Sequence, residues 1–155
     1  MESLAEQFRS MSAGQKRGVH FYLGERALRK WQDFANERTD DSYIESVAGT
    51  QQHVDFMLPA DAMKSAKAGA DLDSVAKRYL EPIAAMQDFD LEFPEPIMFA
   101  YYCVYNLFER YALHKQVDDW IIVNQALSAE GKLQNVRQVL TDALNLANEE
   151  SSDLG

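Results

Sequence analysis

Between Ile97 and Leu113, fourteen of seventeen residues are apolar, and only Asn106, Glu109 and Arg110 interrupt them. Such a run is longer than the roughly four to eight residues of a buried strand, so its length favours a helix. A helix that is apolar almost all round cannot lie on a surface and needs other elements around it. It is also shorter than the roughly 20 residues needed to cross a bilayer. The segment therefore predicts a central buried helix near residues 97–114, enclosed by the rest of the chain.

The flanking sequence offers helices for that purpose. Ser12 and Gln15 have the spacing of a capping box, in which each side chain bonds the other residue's amide. The helix they open should run to about Glu37, with Val19, Leu23, Ala27, Trp31, Phe34 and Ala35 facing inward and Glu25, Arg29 and Asp33 facing water. A short helix over 2–9 precedes it. After the cap-forming Thr39-Asp40-Asp41, a helix is expected from Ser42 to about Met57, stopped by Leu58-Pro59. Further helices are expected over 60–68 before Gly69, from about Leu72 toward Pro82, from Asp118-Asp119-Trp120 to Gly131, and from Leu133 onward. Only 7 glycines and 4 prolines punctuate 155 residues. No sustained alternation of apolar and polar residues and no repeat is present. The fold class is all-α: a single compact bundle of about seven helices over 1–148, with 149–155 a disordered polar tail.

One cysteine, Cys103, rules out an intramolecular disulfide, and the acidic start Met1-Glu2-Ser3-Leu4-Ala5-Glu6 is not a secretory signal. The expected location is the cytoplasm, with no membrane partner. The formal charge is −10. Nucleic-acid binding relies on clustered Lys and Arg, so that class of partner is not expected. The charge is uneven: residues 1–79 carry 12 acids and 11 bases, whereas residues 80–130 carry 9 acids against Arg110 and Lys115.

Within that acidic segment, Asp88, Asp90, Glu92 and Glu95 alternate with Phe89 and Phe93, and Pro94 and Pro96 hold the backbone extended. Alternation in an extended chain puts acids on one side and aromatic rings on the other. A loop pinned by its rings displays a row of carboxylates suited to a basic protein, although the same acids also serve as ordinary solvation. Asp118 and Asp119 stand at a helix start, where acids satisfy free amides, and Trp120 is either core or a binding anchor. The candidate partner-binding set is therefore Asp88, Asp90, Glu92, Glu95, Asp118, Asp119 and Trp120.

Catalytic signals are weak. Cys103 lies in the apolar helix, away from the positive surroundings a reactive thiol needs. His20, His53 and His114 are far apart and form no metal-spaced pair. Asp88-x-Asp90-x-Glu92 lacks the glycine and the final glutamate of a calcium loop. No phosphate-binding or nucleophile-elbow motif occurs. No catalytic residue, cofactor or metal is expected.

The stretches Phe99-Ala100-Tyr101-Tyr102-Cys103-Val104-Tyr105-Asn106-Leu107-Phe108 and Asp118-Asp119-Trp120-Ile121-Ile122-Val123-Asn124-Gln125-Ala126-Leu127 resemble small all-helical immunity proteins of bacterial toxin–immunity systems, over about a fifth of the chain. The resemblance rests on a tyrosine-rich central helix, acidic caps and strong negative charge. It implies an acidic cytoplasmic protein that binds a cognate, commonly basic, toxin domain and blocks its active site. It transfers no individual residue role. The alternatives are a helical adaptor or regulatory domain and, further off, a small metal-dependent hydrolase.

Overall fold

The start of the chain is set by two reciprocal caps. Ser3 and Glu6 form a capping box ahead of helix α1 (Leu4–Arg9). Ser12 and Gln15 do the same ahead of helix α2 (Ala13–Asn36), with the Ser12 amide 2.9 Å from Gln15 Oε1 and the Gln15 amide 3.2 Å from Ser12 Oγ. Each box satisfies amides that a helix start would otherwise leave bare. The computed structural model describes residues 3–36, 44–47, 50–53, 57–77, 95–131 and 133–153.

Helix α2 buries Val19, Leu23, Ala27, Trp31 and Phe34, the stripe its periodicity sets out, while Arg29 and Asp33 are exposed. The helix expected over 42–57 is absent. Strands β1 (Ile44–Val47) and β2 (Thr50–His53) pair antiparallel instead, with Ile44 opposite His53 and Val47 opposite Thr50. The β-branched Ile44, Val47 and Thr50 and the glycine at 49 all weaken a helix. The hairpin is a local exception in an otherwise helical molecule.

Helix α3 (Leu58–Ala68) begins at Leu58-Pro59, where a stop was expected. Proline suits a first turn because its missing amide is one the helix leaves unpaired there. Gly69 ends α3 with φ 74°. Asp71 then precedes a 3-10 turn (Leu72–Ser74) and accepts a hydrogen bond from the Ala76 amide.

Helix α4 (Glu95–Tyr111) takes in Pro96 by the same first-turn rule and so starts two residues before the apolar run. It buries Ala100, Tyr101, Cys103, Val104, Leu107 and Phe108 and packs against α2, α3 and helix α5 (Asp119–Glu130). Its enclosure is incomplete, since Phe99, Tyr102 and Tyr105 are only partly buried. Gly131, at φ 79°, separates α5 from helix α6 (Leu133–Asp153). Helix α6 returns along α2 and buries Val139, Leu140, Ala143, Leu144 and Ala147. Its backbone is helical to Asp153. Among the described residues the bundle therefore comprises six α-helices, one 3-10 turn and, directly after that turn, the helical residues Val75, Ala76 and Lys77 that begin a seventh.

The α2–α4 contact leaves no room for a side chain on Gly24. A Cβ on Gly24 would stand 2.3 Å from Leu107 Cδ1 and 3.4 Å from Met63 Cε. Leu107 is fully buried, so it has little room to yield. Gly24→Ala should therefore lower stability by on the order of 1 kcal/mol, because overpacking costs of about 1–3 kcal/mol outweigh the helix-propensity gain of about 1 kcal/mol. Urea denaturation of the two proteins measures the difference; equal or higher stability for Gly24→Ala would show that the contact can relax.

Candidate functional site

The seven residues singled out in the sequence do not form one cluster. Asp88, Asp90 and Glu92 lie outside the described residues. Glu95 is exposed in the first turn of α4. Asp118, Asp119 and Trp120 stand beyond the other end of α4, whose 17 residues span about 25 Å at 1.5 Å per residue.

At that second end, Asp118 is the N-cap of α5, its Oδ1 accepting from the Trp120 amide at 2.8 Å. Its capping role does not require burial, and the residue is exposed. Asp119 points inward. One carboxylate oxygen is 3.3 Å from Lys16 Nζ. The other is a buried atom without a hydrogen bond of its own, held in an ion pair by the Arg110 guanidinium. The Arg110 side chain also donates to the Val117 carbonyl at 2.7 Å, fixing the loop before α5. Half-buried Trp120 packs on Phe8, with ring centroids 5.9 Å apart, and Arg9 lies 5.7 Å over its ring. Next to it, Ile121 is 45 % exposed. A shallow polar cleft of ≈ 760 Å³ opens here, lined by Arg110, His114, Lys115, Val117, Asp118 and Asp119 among others.

Beneath this surface lies a fully buried histidine, His20. Its Nε2 is 2.9 Å from the Asp119 carbonyl and its Nδ1 is 2.7 Å from the Tyr111 hydroxyl. A carbonyl only accepts, so Nε2 carries a proton, and in the neutral ring favoured by burial Nδ1 accepts from the Tyr111 hydroxyl. Both ring nitrogens are thus engaged. Burial lowers its pKa from 6.5 to about 4, against the opposing hydrogen bond to Asp119 and with Arg110 and Lys16 adding to the fall.

The same internal use of charge recurs at the other end of α5. Glu130, with its side chain 5 % exposed, is held by Arg26 at 2.9 Å and Lys30 at 3.5 Å, both on α2. Burial pushes its carboxyl up, but the Arg26 hydrogen bond and the Lys30 charge outweigh that and hold it below the ordinary value. Glu109 pairs with Lys115 at 3.5 Å. Of the five described acids in residues 80–130, Asp119, Glu109 and Glu130 are therefore matched by cations, two of them by cations from α2. Glu95 has no ion-pair partner among the described residues, and Asp118 is engaged only as a cap.

Cys103 is enclosed, its Sγ 3.6 Å from the Ile122 carbonyl, and burial pushes its thiol up to about 12. A thiol held protonated is a poor nucleophile. Among the described residues no group of His, Cys, Asp and Glu side chains is placed to hold a metal ion, and no helix is long and apolar enough to cross a membrane. The polar network around His20 was not foreseen. Its one sequence signal is a histidine beside Val19 on the apolar stripe of α2, because its partners Tyr111 and Asp119 are 91 and 99 residues away. No family model, no curated protein and no solved structure matches the chain.

Glu130→Gln should cost about 1–3 kcal/mol at neutral pH, because Arg26 and Lys30 lose the charge they share in a nearly closed site. The wild-type carboxyl has a folded pKa below its unfolded one, so its contribution is present above about pH 4.5 and fades as pH falls through the depressed value. Urea midpoints of the two proteins should therefore differ at neutral pH and converge in strong acid. A constant gap across that range would contradict the ion-pair assignment.

Proposed function

We propose that this protein works by binding rather than by catalysis, as an immunity protein that neutralises a cognate bacterial toxin domain by covering it with an acidic surface. The observation that carries the reading is Glu95. It opens α4 as an exposed residue with no counter-ion among the described residues, shortly after Asp88, Asp90 and Glu92 in the sequence. Most other described acids of the same segment are used inside the fold, so Glu95 and Asp118 are the charges left for a partner. Exposed Ile121 beside Trp120 adds an apolar and aromatic contact point of the kind that anchors interfaces. The two ends are about 25 Å apart along α4, a span that a standard interface of about 800 Å² per partner can bridge.

Exposed carboxylates act mainly on association rate and register, and Glu95 offers its charge from a helix start rather than from the extended row expected. The test uses the product of the adjacent toxin gene as partner. Glu95→Lys combined with Asp118→Asn should weaken binding at least tenfold, chiefly through slower association, and flatten the dependence on salt. Asn at 118 keeps the cap while removing the charge. Asp119 is left intact because it holds the fold together. Unchanged rate and affinity with unchanged helical content would eliminate this surface.

A further inference from the structure

Helix α5 begins on a support that is itself titratable. The first turn of α5 is held from below by one hydrogen bond, His20 Nε2 to the Asp119 carbonyl, and from the side by Lys16 and Arg110 on the Asp119 carboxylate. We propose that His20 is an acid-operated latch. In its neutral form it holds the start of α5 against α2, and proton uptake releases that turn while the helical core stays folded.

The geometry makes the charged ring a poor fit. A proton on Nδ1 would face the Tyr111 hydroxyl, which now donates to that nitrogen and would have to turn its own proton elsewhere. The charged groups facing the ring are Lys16 from α2, Arg110 from α4 and Asp119 from α5, with Tyr111 the titratable hydroxyl. The element α1 presents the Phe8 ring, 5.6 Å away. The cations there already share the single acid, so a third positive charge has no counter-ion among these groups. Burial without compensation disfavours the charge further. Lifting the α5 turn gives the ring access to water, which removes the burial cost and screens the ring from the two cations.

Release can be local. The preceding residues 112–118 form no helix, and His114 there has φ 57°. The Trp31–Tyr101 contact that closes the core, with centroids 5.0 Å apart, involves a residue eleven positions further along α2, about 16 Å from His20. Small openings of this kind need less free energy than global unfolding. By linkage, a group that binds its proton more readily when open shifts the balance toward the open form as pH falls. The open-to-closed ratio should rise by up to tenfold per pH unit between the ordinary 6.5 and about 4, or about 300-fold in all. Asp118, Trp120 and Ile121 ride on the released turn, so under the binding role proposed above a partner seated on them is let go in acid. The latch itself does not depend on that role.

The full chain labelled with fluorotryptophan and isotope-labelled histidine provides the test, because its 2 tryptophans separate the two regions. From neutral pH down to about pH 4, the Trp120 fluorine resonance should shift or broaden together with protonation of the His20 ring, while the Trp31 resonance and helical content hold. His20→Gln should abolish the Trp120 response. If that variant does not fold, the wild-type ring signal decides: Trp120 moving while His20 stays neutral overturns the latch. So does a Trp120 signal that stays flat until Trp31 and the helical content are lost.

Discussion

Helix α4 buries six side chains, from Ala100 to Phe108, and α2, α3 and α5 close around that face. Gly24 lies on one of these approaches, where the missing side chain leaves room for Leu107 and lets α2 and α4 come together. Once that pair is set, Trp31 meets Tyr101 and the cations of α2 are brought to the two ends of α5. Burial of apolar surface drives this arrangement, and charge pairing then fixes its register. Without the α2–α4 approach, neither Lys16 nor Arg26 and Lys30 would face their acids.

This accounts for a mismatch between net charge and displayed charge. Residues 80–130 are strongly acidic in sequence, yet α2 takes up two of their carboxylates. The nearly neutral N-terminal half serves as counter-ion to the acidic half. Among the described acids of that segment, Glu95 and Asp118 are the ones left facing water without a counter-ion. Asp119 belongs to the interior side of that division and Asp118, its neighbour, to the exterior.

Local chemistry was legible in the sequence wherever neighbours within four residues decide the outcome. The Ser12–Gln15 box, the Asp118 cap and the Gly69 and Gly131 stops are of this kind, and the α2 stripe follows from its 3.6-residue period. The hairpin was misread because Asp40 and Asp41 resemble a helix start, while the β-branched residues behind them favour strand. The Leu58-Pro59 pair was misread because proline can begin a helix as well as end one. The candidate site was legible only as residue types. Whether an acid faces water or a lysine a hundred residues away is decided by packing: Lys16 and Asp119 are 103 apart.

Helix α2 leaves the site of synthesis early, but almost everything it packs against comes late. Arg26 waits 104 residues for Glu130, and Gln15 waits 133 for Asn148. Contacts separated this widely carry a loop-closure cost before they give any return. Until α4 to α6 have emerged, the apolar stripe of α2 lacks the cover those helices give it. Cover for α2 thus depends in part on segments made about a hundred residues after it, which lengthens the time its apolar stripe is open to aggregation and chaperone capture.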